Sequence, residues 1–117
     1  MKLKELIQNR EIYQRLYANI TNYDRIVEID EKTVEPMVKA LEAHDKMLEN
    51  FKKRLAEETK DKSEEEKQEI TNTINEEYQK ELEKEIKVEL MKVTKEEAKL
   101  AGFNVFEYRQ IKHLIKD

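Results

Sequence analysis

A regular recurrence of apolar side chains along residues 33–60 constrains the fold of this chain more than any other feature. Seven positions alternate spacings of three and four, which places them on one face of a helix: Val34, Met37, Leu41, His44, Leu48, Phe51 and Leu55. Pro36 stands in the first turn, where a missing backbone N–H group is tolerated. The pattern predicts a long helix over 33–60.

The sequence leaves open what packs against this apolar face. Three heptads are typical of a coiled-coil pair, either within the chain or between two chains. They are also typical of one amphipathic helix that lies on a small core. We name this face, together with the apolar face of a second helix opposite it, the seam. The predicted self-association residues of the seam are Leu41, His44, Leu48, Phe51, Leu55, Ile74, Tyr78 and Leu82.

Composition favours helix along the whole chain. Of the 117 residues, 43% are charged, and the chain has one Gly and one Pro. Glu, Lys and Leu lose little rotamer freedom in a helix, and the residues that interrupt helices are almost absent. Leu, Ile, Val and Phe together number 29, which is above the level of about 20% below which charged chains are usually disordered. We therefore expect one domain over 1–117 with a thin core, which pairing into a homodimer would complete.

Two further helices are predicted before residue 86. Apolar side chains at helical spacing predict the first over 1–20. Ser63, followed three residues later by Glu66, has the spacing of a capping box and predicts a helix over 63–85. The charged stretch 57–69 leaves three interpretations open, namely a helix extension, a turn near Ser63 or a disordered link.

The C-terminal part of the chain contains two more capping signals. Thr94 and Asn104 each precede a Glu by three residues, and Gly102 between them is suited to end a helix. These signals predict helices over 94–101 and 105–116. The last helix is expected to present four apolar side chains: Phe106, Ile111, Leu114 and Ile115.

Two segments have the pattern of strands. Residues 25–29 are rich in β-branched side chains, which is typical of a short strand or an extended connector, and residues 86–92 alternate apolar and charged side chains. The two are expected to pair with each other, or the second to pair with its own copy across a dimer. The predicted fold is mainly α: an antiparallel hairpin of long helices, a short β element and a C-terminal helical cap.

The sequence offers no residues for catalysis or for holding a cofactor. The chain has no Cys, and its single glycine excludes a phosphate-binding loop. His44 and His113 do not share the spacing of metal ligands, and His44 is expected to find a partner across the seam. Ser63, the only serine, lies in a charged stretch without a base nearby. We expect a protein without enzymatic activity, metal or cofactor.

Charge is distributed unevenly and suggests an alternative function. Residues 57–86 hold twelve acidic and five basic side chains, a net charge of −7. Such a flank suits an inhibitor that imitates nucleic acid and binds a basic cleft of a host or defence enzyme. The predicted acidic partner surface consists of Glu64, Glu65, Glu66, Glu76 and Glu77.

The same charge distribution argues against a nucleic-acid partner, because an acidic flank repels a phosphate backbone. The poorer interpretation is nucleic-acid binding through basic residues near the start of the chain: Lys2, Lys4, Arg10, Arg15 and Arg25. No apolar run has the length of a membrane span or a signal peptide. We therefore expect no membrane partner and a cytoplasmic location.

From about Thr33 onward the order of features resembles a family of small proteins of tailed bacteriophages and prophages of Gram-positive bacteria. The features are a charged helix (VKALEAHDKMLENFKKRLAEE), a tyrosine-bearing segment (INEEYQKELEKE), an alternating segment (IKVELMKV) and a Gly-containing step into a final helix (AGFNVFEYRQIKHLI). The family has no assigned activity or catalytic residues. The resemblance implies a factor that binds a phage or host protein in the bacterial host cell, with a minor role in assembly or as an accessory subunit.

Overall fold

Helices make up most of residues 1–116, the part of the chain that the computed structural model describes. They are α1 (Leu3–Tyr17), α2 (Tyr23–Ile29), α3 (Glu35–Glu58), α4 (Glu64–Leu82), α5 (Lys95–Lys99) and α6 (Val105–Ile111). Two short strands, β1 (Val93–Thr94) and β2 (Ile115–Lys116), pair in parallel. The mainly α fold is confirmed; the predicted domain extends to Asp117, which lies outside the described residues.

The antiparallel hairpin of long helices is confirmed, and we name α3 and α4 together the arm. The chain turns between Thr59 and Ser63, with Asp61 at a φ of 59°. The Ser63 hydroxyl accepts a hydrogen bond from the Glu66 N–H group at 3.2 Å, so it caps α4 as predicted. The charged stretch is therefore a turn followed by the first turns of α4.

The main core lies at one end of the molecule, which we name the head: α1, α2 and residues 86–116. Its buried side chains come mostly from these elements: Leu6, Tyr13, Leu16, Ile20, Ile29, Met37, Val93, Ile111 and Leu114. The molecule measures 59 × 29 × 20 Å, and its radius of gyration is 18.7 Å. A compact chain of this length has a radius of about 13 Å, so the arm projects far beyond the head.

The predicted strand over 25–29 is wrong, because these residues lie in α2. The Asn22 side chain accepts a hydrogen bond from the Arg25 N–H group at 3.1 Å and caps the helix. Ile29 is buried in the core. Tertiary packing thus overrides the weak β preference of the branched side chains. A π-helical turn over Asp30–Val34 joins α2 directly to α3.

The second predicted strand, over 86–92, is also wrong. Its backbone bonds to the junction of α2 and α3, since the Glu89 N–H group donates to the Lys32 carbonyl at 3.3 Å and the Met91 N–H group donates to the Thr33 hydroxyl at 3.1 Å. The two predicted strands therefore do not pair. The β element instead begins at Val93.

The predicted last helix, over 105–116, is too long. The α-helix ends at Ile111, a 3₁₀ turn follows over Lys112–Leu114, and Ile115 then pairs with Val93. Val93 is buried, and so is Leu114 in the 3₁₀ turn just before the strand, so this end of the chain packs into the core as an extended segment and not as a helix. Of the apolar side chains on this last part of the chain, Ile111 and Leu114 join the core, whereas Phe106 is 79% exposed.

Candidate functional site

Exposed apolar side chains concentrate at the end of α5 and on α6. Leu100 is 68% exposed, Val105 71%, Phe106 79% and Tyr108 50%. We name these four residues the rim. Single exposed apolar side chains are ordinary, but Val105 and Tyr108 are three residues apart and share one face of α6, and an exposed apolar patch marks a surface for interaction. The rim is therefore the first candidate for a functional site.

A groove of about 480 Å³ lies beside the rim, between α5, α6 and β2. Pockets for ligands usually have volumes of roughly 300–1,000 Å³. The groove is wide enough to accept one or two apolar side chains of a partner. Its lining residues are Lys95, Ala98, Lys99, Gly102, Phe103, Asn104, Val105, Tyr108 and Ile115.

Two capping boxes shape the corner between α5 and α6, and both predicted caps are confirmed. The Thr94 N–H group donates to the Glu97 carboxylate at 2.8 Å, and the Glu97 N–H group donates back to the Thr94 hydroxyl at 3.2 Å. Asn104 and Glu107 make the same reciprocal pair at 3.1 and 2.9 Å. Between them Gly102 has a φ of 66°, which ends the first helix and turns the chain into the second.

Arg15 on α1 fixes the far side of this corner. Its guanidinium donates to the carbonyls of Ala101 at 3.1 Å and Gly102 at 3.0 Å, and it pairs with the Glu107 carboxylate. It also lies 4.8 Å from the centre of the Phe103 ring. One side chain of α1 therefore holds the turn, the start of α6 and a lining residue of the groove.

Arg25 on α2 fixes α5 in the same way. Its guanidinium donates to the Lys92 carbonyl at 3.0 Å and to both oxygens of the Glu97 carboxylate, at 3.0 and 3.4 Å. Burial raises the pKa of Glu97, but the bonds from Arg25 and the Thr94 backbone outweigh it, so this pKa lies below its usual value. The groove is therefore rigidly held by α1 and α2.

The structure brings the predicted seam together within one chain. The His44 Nε2 atom lies 2.9 Å from the Tyr78 hydroxyl, and the Phe51 ring meets Tyr78 edge-on at 6.2 Å between centres. His44 and Ile74 are buried. The other predicted seam residues are half-buried: Leu41, Leu48, Phe51, Leu55, Tyr78 and Leu82. The seam thus joins α3 to α4, and the homodimer stays a prediction.

The predicted acidic surface is only partly available to a partner. Glu64, Glu65 and Glu66 are exposed in the first turn of α4, and Glu76 is exposed further along it. Glu77 instead pairs with Arg54 on α3, and a hydrogen bond from that guanidinium lowers the pKa of Glu77. Glu77 therefore stabilises the arm.

Ion pairs within the chain engage most of the basic residues near its start. Lys2 and Lys4 both contact Glu83, at 2.8 and 2.6 Å. Arg15 and Arg25 bind the two capping carboxylates of the head. Of the five cations considered for nucleic acid, four thus already have carboxylate partners.

Residues 1–116 contain no group of three or more His, Cys, Asp or Glu side chains placed to hold a metal ion. None of their helices combines the length and apolarity needed to cross a bilayer. No family model matches the chain, and neither a curated protein nor a solved structure matches it. Membership of the phage family therefore stays a prediction.

Proposed function

We propose that this chain is a non-enzymatic interaction protein that binds another protein through the rim and the groove. The observation that carries the proposal is the exposure of Phe106, 79%, on a helix that Arg15 holds in place. Side chains that are rigid, aromatic and exposed supply large contact area at low cost in conformational entropy. A partner that covers the rim would remove this apolar surface from water.

The biological setting that we propose is a phage or prophage, in which the chain is a minor assembly factor or an accessory subunit. The sequence pattern from Thr33 onward supports the setting. The elongated shape supports a bridging role, because the head lies at one end of the molecule and the turn of the arm lies at the other. A molecule of this form can hold one partner at the head while the arm reaches another.

Site-specific photo-crosslinking tests the proposal. A photoreactive phenylalanine analogue replaces Phe106 in one variant and Tyr23 in a second, the matched control. Tyr23 is 76% exposed and is not among the groove residues. In a lysate of cells that carry the gene, we expect one protein to crosslink to position 106 and not to position 23. Equal products from both positions, or none from position 106, would refute the proposal.

The second candidate function, inhibition of a host or defence enzyme, is supported by the exposed carboxylates at the end of the arm. Its test replaces Glu64, Glu65, Glu66 and Glu76 by Gln and leaves Glu77, which the arm needs. If the arm imitates nucleic acid, the captured partner should be lost both in this variant and at high salt. A partner retained under both conditions favours the rim and groove.

A further inference from the structure

The groove carries positive charge around an apolar floor. Exposed Lys99 lines it. Exposed Arg109 lies four residues after the lining residue Val105 on α6 and therefore shares its face of the helix. The surface beside the groove therefore attracts carboxylates.

The carboxylates of α5 and α6 do not cancel this charge. Glu97 and Glu107 face Arg25 and Arg15, away from the partner side of the groove. Glu96 contacts Lys99 at 3.2 Å, but their side chains are 83% and 70% exposed. Exposed pairs of this kind contribute little free energy, so a carboxylate from a partner can replace Glu96 beside Lys99.

A second copy of the chain is a poor occupant. A two-fold contact through this face would bring the positively charged patches of the two copies together, and like charges repel. The four rim side chains expose on the order of 500 Å² together, whereas a stable dimer covers roughly 800 Å² on each partner. The exposed area of the rim therefore fits a short peptide segment better than a whole domain.

A lipid surface is also a poor occupant, because the site is concave. A bilayer could cover Phe106 and Leu100 but would leave the groove between α5 and α6 unfilled. A protruding side chain fills such a groove and contacts both the Phe103 ring and Ile115. The concave shape of the groove and its positive charge therefore favour the same ligand, a protruding acidic segment of a protein.

We propose that the groove binds a short acidic segment of another protein, with an apolar side chain seated on Phe103 and Ile115 and with carboxylates beside Lys99 and Arg109. This inference rests on the proposed function, since it specifies the chemistry of the partner that the rim and groove dock. The occupant is thus a peptide-like segment that combines Asp or Glu with one or two large apolar residues.

The test is a selection of random dodecapeptides on the complete chain, followed by titration of the selected peptides by fluorescence anisotropy. We expect the enriched peptides to combine apolar and acidic residues. Their affinity should fall about tenfold or more in Val105→Asp, and equally in Lys99→Glu with Arg109→Glu. These positions are exposed, so the variants should remain folded.

Two controls match these variants. Tyr23→Asp changes an equally exposed apolar side chain outside the groove, and Lys52→Glu with Lys53→Glu makes the same change of charge on the exposed face of α3. Neither control should alter the affinity of the selected peptides. An equal loss in the controls would overturn the inference.

Other results of these experiments distinguish failure of this inference from failure of the proposed function on which it rests. Peptides that bind the groove without acidic residues would overturn the charge preference, while the crosslink at position 106 would still support docking. Failure to enrich any peptide would overturn the inference. Binding to phosphatidylglycerol vesicles that Val105→Asp abolishes, without any crosslinked protein, would overturn both and assign the site to a membrane surface.

Discussion

Thr33 joins the junction of α2 and α3 to residues 86–92 through one hydroxyl group. It is fully buried in the π-helical turn between α2 and α3. Its Oγ1 atom donates to the Glu89 carbonyl and accepts the Met91 N–H group at 3.1 Å. Tyr17 donates to the Met91 carbonyl at 2.8 Å, beside this hydroxyl. The segment that leads from the arm to the groove is therefore held by Thr33, Tyr17 and the Lys32 carbonyl, and not by a neighbouring strand.

Thr33→Val should destabilise the fold, because Val keeps the shape of Thr but leaves the Glu89 carbonyl and the Met91 N–H group without their partner. We expect a loss of about 1–3 kcal/mol in the free energy of unfolding, measured by urea titration. Thr73→Val is the control, since Thr73 is exposed and bonds only to the Glu69 carbonyl of its own helix. A change below about 0.5 kcal/mol is expected there, and equal losses would contradict the role of Thr33.

Glu83 makes stability depend on pH in the acidic range. Hydrogen bonds from Lys2 and Lys4 lower the pKa of Glu83 from 4.5 to about 2. Because the folded state prefers the ionised form, its contribution is complete above pH 4.5 and disappears as the pH falls towards 2. The difference in Tm between the wild type and Glu83→Gln should therefore be constant above pH 4.5 and shrink below it. Glu49→Gln, on the exposed face of α3, should show no such trend.

At the scale of elements, the corner between α5 and α6 depends on one backbone conformation. Gly102 has a φ of 66°, and a Cβ atom added there meets no atom within 4 Å. Gly102→Ala should thus cost about 1–2 kcal/mol through conformation alone, whereas Gly102→Asn should cost less because Asn tolerates this region. Thermal unfolding of both variants tests this prediction. An equal loss of stability in the two variants would indicate steric crowding instead.

Elements whose signals lie within a few residues could be predicted from the sequence. The arm follows from the apolar spacing of α3, and the caps at Ser63, Thr94 and Asn104 each need only a partner three residues away. Helix α2 has a local cap at Asn22, but the β-branched side chains of residues 25–29 are typical of a strand. Burial of Ile29 in the core, which the sequence alone does not reveal, favours the helix. The strand pair likewise depends on contact between Val93 and Ile115 in the folded head.

The groove could not be predicted for a related reason. The sequence places Phe106 on an apolar face of α6, and nothing local indicates whether that face turns inward. The orientation of α6 is set by Arg15, which lies 92 residues away from Glu107. The sequence does contain one indication of this exposure. Helix α6 is short, and its apolar residues Val105, Phe106 and Tyr108 are too many for one side of the helix to bury.

For the whole molecule, the concentration of the main core in the head predicts an uneven stability. Most buried apolar side chains lie in the head, whereas the outer arm between residues 50 and 70 has none. Regions with few buried contacts open at lower free energy than the core. Amides of this outer arm should therefore exchange with deuterium faster than those between Leu6 and Leu16. Uniform protection measured by mass spectrometry would contradict this division.

The two arginines that hold the groove have a consequence for how the protein is made. Arg15 and Arg25 are translated long before their partners Glu107 and Glu97. Ile115, which lines the groove, is translated after all four of them. The arm can form earlier in synthesis, whereas the groove is complete only after Ile115 has left the ribosome. A nascent chain therefore cannot bind a partner in the groove before that point.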